Sequence, residues 1–171
     1  MELIGQLVTI GAVITGAVAS YVFSRLSENA RFARELRTRW DQRRLEAYGS
    51  YVTAVKASMR SGRAVMERRI DDGKELGVYL ETLRVAEQHR SELFEMVILL
   101  GDAEVINAAH QLNSALWSVV RPVEVGEALS EEELGDRVKD WVQALNNFHQ
   151  RARESLGVSG GFGRQDIAIW P

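Results

Sequence analysis

The distribution of apolar side chains divides the chain into an uncharged beginning and a periodic remainder. Residues 3–24 form a run of 22 positions without a single charged side chain. At about 1.5 Å per residue, a helix of that length covers the roughly 30 Å hydrocarbon core of a bilayer. A buried core helix is the alternative, but a helix that is apolar on every side needs partners all around it. The run therefore predicts a transmembrane anchor over residues 1–26.

After the anchor, apolar positions recur at steps of three and four, which is typical of helices with one dry face. The first stripe continues from the anchor and ends near a turn signal at residues 71–73, and three more stripes follow. The four sets are Phe32, Leu36, Trp40, Leu45, Tyr48, Val52, Val55, Met59, Gly62, Met66; Leu76, Leu80, Leu83, Ala86, Leu93, Val97, Leu100; Val105, Ala109, Leu112, Leu116, Val119; and Leu134, Val138, Trp141, Leu145, Phe148, Ala152.

Four such helices, joined by short turns, bury their apolar faces together in an antiparallel bundle. The predicted fold is therefore all-α, with an N-terminal transmembrane helix that continues into an antiparallel four-helix bundle. The bundle is assigned to residues 27–157, and a flexible, glycine-rich C-terminal tail to residues 158–171.

Polar residues mark the predicted helix ends, with one exception inside a stripe. Asp102 is suited to cap the third helix, and Pro122 is expected to halt it. Ser130 and Glu133 have the spacing of a capping box before the fourth helix. Arg90 falls in the apolar register of the second helix, so we expect it at the edge of that stripe or paired with a carboxylate of a neighbouring helix.

The residues that flank the anchor predict its orientation. Ala17, Val18 and Ala19 resemble a signal-peptidase site, but the chain has no basic residue before the span, so we expect retention rather than cleavage. The arginines from Arg25 onward all follow the span. The positive-inside rule then predicts a cell-membrane protein with its N-terminus outside and its C-terminal domain in the cytoplasm.

Charge is segregated along the chain. Residues 25–69 contain 12 basic and 5 acidic side chains, whereas residues 71–171 contain 9 basic and 18 acidic ones. Anionic lipids of the inner leaflet attract basic segments at about 1 kcal/mol per residue. Nucleic acid is the weaker alternative, because the acidic distal part would repel its phosphates. The predicted basic, lipid-facing set is Arg31, Arg34, Arg37, Arg39, Arg43 and Arg44.

Two further sets of residues predict contacts outside the bundle core. Ala12, Gly16 and Ser20 are small residues at a spacing of four, which would let two anchors approach closely, although such residues are common in membrane helices anyway. Ile167, Ile169 and Trp170 make the end of the tail too apolar to stay in solvent. We expect this end to dock on the bundle or to recruit another protein.

Recognisable catalytic patterns are missing from the sequence. The chain has no cysteine, no phosphate-binding glycine loop, no paired-histidine zinc helix and no nucleophile elbow. His89, His110 and His149 belong to three different predicted helices, so a shared metal site would need a coincidence of packing. We therefore predict no catalytic residue, no cofactor and no metal.

Three segments carry a resemblance to a known group. They are residues 39–48, RWDQRRLEAY; residues 99–109, LLGDAEVINAA; and Phe148 together with residues 153–157, RESLG. With the preceding apolar span, the chain resembles actinobacterial single-pass membrane-anchored helical proteins of uncharacterised function. The resemblance covers all but the tail. It implies architecture and assigns no functional residue.

The function expected from these features is that of a non-enzymatic, membrane-tethered interaction or scaffold module at the cytoplasmic face. It would bind a protein partner or a second copy of itself. The alternative is a prophage or defence-type effector whose assembly perturbs the bilayer, and the weak polar edge of Gln6, Thr9 and Thr15 in the anchor favours that reading. An enzyme with an unrecognised site in the bundle core is a third possibility.

Overall fold

The computed structural model describes Arg25 and residues 38–67, 75–127, 129–160 and 163. Within these ranges the protein is all-helical, with α1 over residues 38–67, α2 over Leu76–Leu100, α3 over Ala103–Val125 and α4 over Glu131–Ser155. These ranges contain no strand, and the predicted all-α class with four helices is confirmed. Apart from Arg25, the predicted anchor lies outside the described residues. No helix in the described part is long and apolar enough to cross a membrane.

The chain divides into two compact units, residues 1–42 and residues 43–171, and the bundle belongs to the second. Successive helices in the bundle run in opposite directions. Tyr51 of α1 packs on Phe94 of α2, while Arg44 near the start of α1 bonds to Leu100 at the end of α2. Gln111 of α3 likewise meets Asn147 of α4. As a result, α1 and α3 run the same way and meet across the bundle.

The capping signals of the sequence are confirmed. The Asp102 side chain accepts a hydrogen bond from the Val105 amide at 3.0 Å, and Ser130 forms the capping box with Glu133. Gly126 and Gly157 follow α3 and α4 in the left-handed conformation, with φ of 80° and 69°. Each closes a Schellman motif, because the next amide bonds back to the carbonyl five residues earlier.

Pro122 does not halt α3, so that prediction was wrong. The helix continues three residues further, to Val125. Because proline has no amide hydrogen, the Ser118 carbonyl loses the donor that would normally come from position 122. Arg137 of α4 supplies the missing donor through its Nη1. This hydrogen bond from the neighbouring helix thus allows α3 to continue past Pro122.

The core forms where the four stripes meet. Its largest fully buried side chains are Trp141, Tyr51 and Phe148, and the Tyr51 and Phe148 rings pack edge to face with centroids 5.2 Å apart. The predicted stripe of α3 is buried throughout. On α1 the prediction holds from Tyr48 onward, whereas Leu45 is 59% exposed. At Gly62 of α1 an added Cβ would lie 3.3 Å from Val120 Cγ2 of α3, so a larger residue there would press on α3.

Candidate functional site

The basic set predicted to face lipid is only partly within the described residues. Arg31, Arg34 and Arg37 lie outside them, while Arg39 and Arg43 are exposed. Arg44 is half-buried, and its Nε donates a hydrogen bond to the Leu100 carbonyl at 2.8 Å. That carbonyl belongs to the last turn of α2, where backbone acceptors have no partner within the helix. Arg44 therefore has a structural role besides any contact with lipid.

A cluster of polar side chains is buried among α1, α2 and α3, and we call it the Arg90 cluster. Its centre, Arg90, is only 3% exposed. The guanidinium donates twice to the Glu87 carboxylate at 3.1 Å and once to Asn113 Oδ1 at 2.7 Å. The members of the cluster are Tyr51, Glu87, Arg90, Asn113 and Trp117.

The other members complete the hydrogen bonding of the Arg90 cluster. The Tyr51 hydroxyl lies 2.8 Å from Asn113 Oδ1 and 3.1 Å from the Ala109 carbonyl, so its one hydrogen has two acceptors within reach. Trp117 Nε1 donates to Glu87 Oε2 at 3.0 Å. The predicted pairing of Arg90 was therefore half right: its carboxylate comes from its own helix, and the neighbouring helix supplies an amide oxygen.

The pKa values of the two acidic groups in this cluster shift in opposite directions, down for Glu87 and up for Tyr51. For Glu87, burial raises the pKa, but the hydrogen bonds and charge of Arg90 and the hydrogen bond from Trp117 lower it by more, so the pKa lies below its ordinary value. Burial raises the pKa of Tyr51. Glu87 is therefore ionised and Tyr51 protonated at neutral pH. The cluster is a closed ion pair with its hydrogen bonds directed at itself, which suits it to fixing helix register.

The outward side of α2 carries four exposed apolar side chains among its polar residues, which the sequence analysis did not recognise. Val78, Val85, Met96 and Leu99 are 66%, 58%, 43% and 74% exposed. They lie on the side opposite the buried Leu83, and we call them the α2 outer face. Val78, Val85 and Leu99 are separated by multiples of seven residues. The signal was therefore present in the sequence as a second stripe on the same helix.

An open groove runs between α1 and α2 on the surface of the bundle, and we call it the α1/α2 groove. It has a volume of about 550 Å³. The α1 wall is built mostly from small residues, and the α2 wall is formed by His89 and Leu93. The lining residues of α1 are Leu45, Glu46, Gly49, Ser50, Thr53, Ala54 and Ala57.

The three histidines remain separate in the structure. His89 is exposed, 3.8 Å from Glu92, and His110 packs edge to face on Phe94 at 5.0 Å. His149 is half-buried, and burial, followed by the charge of Lys56, lowers its pKa. The described residues contain no group of three or more histidine, aspartate or glutamate side chains arranged to hold a metal ion.

The remaining predicted sites fall outside the described residues. These are the anchor positions Ala12, Gly16 and Ser20 and the tail positions Ile167, Ile169 and Trp170. Comparison of the chain with protein-family models, with curated proteins and with solved structures finds no match.

Proposed function

We propose that the chain is a membrane-tethered helical interaction module. Residues 3–24 anchor it, the bundle is held at the cytoplasmic face, and the α2 outer face binds a protein partner or a second copy of the chain. The observation that carries this proposal is that α2 exposes four apolar side chains opposite the side that builds the bundle with Leu83 and Val97.

The α2 outer face has the form of a helix-binding seam. Its two apolar patches, Val78 with Val85 and Met96 with Leu99, are the kind of exposed apolar surface that commonly marks an interaction site. Val78, Val85 and Leu99 occupy one position of a heptad repeat, and Met96 lies beside them one turn before Leu99. A helix from a partner would pack along such a seam by inserting side chains between these positions. Glu92 also lies along it and would favour a partner with a complementary polar group.

The charge distribution supports the membrane part of the proposal. Arg39 and Arg43 are exposed on α1, on the anchor side of the bundle helices in the sequence. Anionic lipid headgroups at the inner leaflet would attract them. The bundle beyond them is acidic, with 18 acidic and 9 basic residues from position 71 to the end. Such a domain would be held away from the lipid surface, with α2 accessible to proteins.

Charge placed on the α2 outer face tests the proposed function. The variant Val85→Glu/Leu99→Glu changes two exposed side chains, so the melting temperature of the full-length protein should change little. Chemical crosslinking in native membranes should give species above the monomer mass with the unaltered chain. These species should be lost in the variant, because charges at a helix–helix seam oppose association.

The matched control is Asn107→Glu/Ser114→Glu, which adds the same two charges to exposed positions on α3, away from the α2 outer face. The control should retain the crosslinked species. Mass analysis of those species distinguishes a second copy of the chain from a different protein. Equal crosslinking by the α2 outer face variant and the control would contradict the proposal.

A further inference from the structure

The α1/α2 groove has open space over the backbone of α1. A Cβ atom added to Gly49 would meet no heavy atom within 4 Å. Thr53 and Ala57 continue this small-residue wall at steps of four, while Leu93 provides an apolar side chain from α2. The groove is therefore shaped for an apolar guest that is narrow and elongated, such as a short segment of polypeptide.

The described chain ends at the same end of the bundle as the groove, but on the opposite side of α1. The Ser155 hydroxyl at the end of α4 lies 3.2 Å from the Tyr48 hydroxyl, and Tyr48 follows the groove residue Leu45 by less than one turn. The Schellman motif at Gly157 then reverses the chain direction, and Arg153 donates a hydrogen bond to the Gly160 carbonyl. The C-terminal segment thus departs from the end of the bundle at which the groove begins.

The remaining length is sufficient to occupy the groove. Residues 161–171 are eleven residues, which reach at most about 36–40 Å when extended. The groove extends along α1 from Leu45 to Ala57, about 18 Å at 1.5 Å per residue. A helix with its side chains is about 10–12 Å wide. The segment can therefore pass around α1 and still lie along the groove.

The sequence of this segment matches the chemistry of the groove. Its last charged residue is Asp166, and the five residues that follow are Ile-Ala-Ile-Trp-Pro. In an extended chain Ile167 and Ile169 point to the same side, and Ala168 between them takes little space. The side chains of Ile167 and Ile169 can thus enter the groove together and pack on its wall of small residues, with Trp170 beside them.

We propose that the C-terminal segment, residues 167–170, docks in the α1/α2 groove of its own chain. This inference goes beyond the interaction module, because it uses the groove rather than the α2 outer face and requires no partner. Docking would bury an apolar segment and cover the side of α2 that carries His89 and Leu93.

The absence of cysteine from the chain permits a direct test by disulfide formation. Ser50→Cys in the groove is combined with Ile169→Cys in the full-length protein in membranes. The control combines Asn107→Cys with Ile169→Cys. Asn107 is exposed on α3 at the same end of the bundle, opposite the buried side of that helix. Both positions are within reach of the tail, so a difference in crosslinking rate between the two pairs reports whether the tail docks in the groove.

Mild oxidation should crosslink the Ser50→Cys pair several-fold faster than the Asn107→Cys pair, at the mass of one chain. Equal rates for the two pairs would overturn the proposal. A crosslink that appears only at the mass of two chains would also overturn it and would assign the segment to another copy.

A groove-filling variant gives a second readout. A Cβ at Gly49 has open space around it, so Gly49→Leu should place its side chain in the groove. The melting temperature should stay unchanged or rise, because glycine is unfavourable within a helix. The basic residue nearest the docking segment is Arg164, so trypsin cleavage there reports whether the segment is held. Cleavage should become several-fold faster in Gly49→Leu. An unchanged cleavage rate, with the bundle intact, would overturn the proposal.

Discussion

Arg90 carries its charge into the core of the bundle, and this makes its partners interdependent. Removing one member of a buried ion pair leaves the other charge without compensation, at a cost of about 3–5 kcal/mol. Replacing both members removes that penalty. Arg90→Met and Glu87→Gln should each lower the free energy of unfolding by an amount of that order, measured by urea denaturation. The double variant should lose less than the sum of the two single losses.

The same pair predicts how stability depends on pH. The pKa of Glu87 lies below its ordinary value of 4.5 in the folded protein. The unfolded chain therefore binds the proton first as the pH falls. The stabilisation by Glu87 is complete above pH 4.5 and is lost as the pH drops through the folded pKa. Between pH 6 and pH 3, Glu87→Gln should show a shallower decline in the urea midpoint than the unaltered chain, and an identical slope would contradict this assignment.

At the scale of helices, variants of the adjacent residues Arg43 and Arg44 distinguish the proposed lipid contact from a structural role. Arg44→Gln removes a hydrogen bond to the last turn of α2 and should lower the free energy of unfolding by about 1 kcal/mol, since the site is partly exposed. Arg43→Gln should leave stability nearly unchanged. It should weaken binding of the anchorless domain to anionic vesicles by about 1 kcal/mol. Equal stability losses in the two variants would show that the Arg44 contact is unimportant.

The sequence was informative about each helix and less so about contacts between helices. The stripe of α3 could be predicted because every apolar position on it faces the core. The hydrogen-bond partners of Arg90 could not be predicted from the sequence, because Asn113 lies on another helix, 23 positions away. The predicted end of α3 at Pro122 was wrong for the same reason, because the donor that replaces the missing amide hydrogen belongs to Arg137 on α4. The α2 outer face was not predicted, because each helix was expected to have a single apolar side.

At the scale of the whole molecule, the proposed anchor predicts a testable orientation. Basic residues follow the uncharged run, and none precedes it. By the positive-inside rule, a fluorescent protein that matures only in the cytoplasm should be bright when fused after Pro171. Alkaline phosphatase fused at the same place should be inactive. The opposite pattern would reverse the orientation and place the bundle outside the cytoplasm.

The contact between Arg137 and the Ser118 carbonyl also constrains how this sequence can diverge. While Pro122 is present, any descendant that loses Arg137 leaves a partly buried carbonyl without its donor. If Pro122 is replaced first by a residue with an amide hydrogen, the helix satisfies that carbonyl itself and position 137 becomes free to vary. The two positions, fifteen residues apart on different helices, thus have a preferred order of substitution, with the proline changing before the arginine.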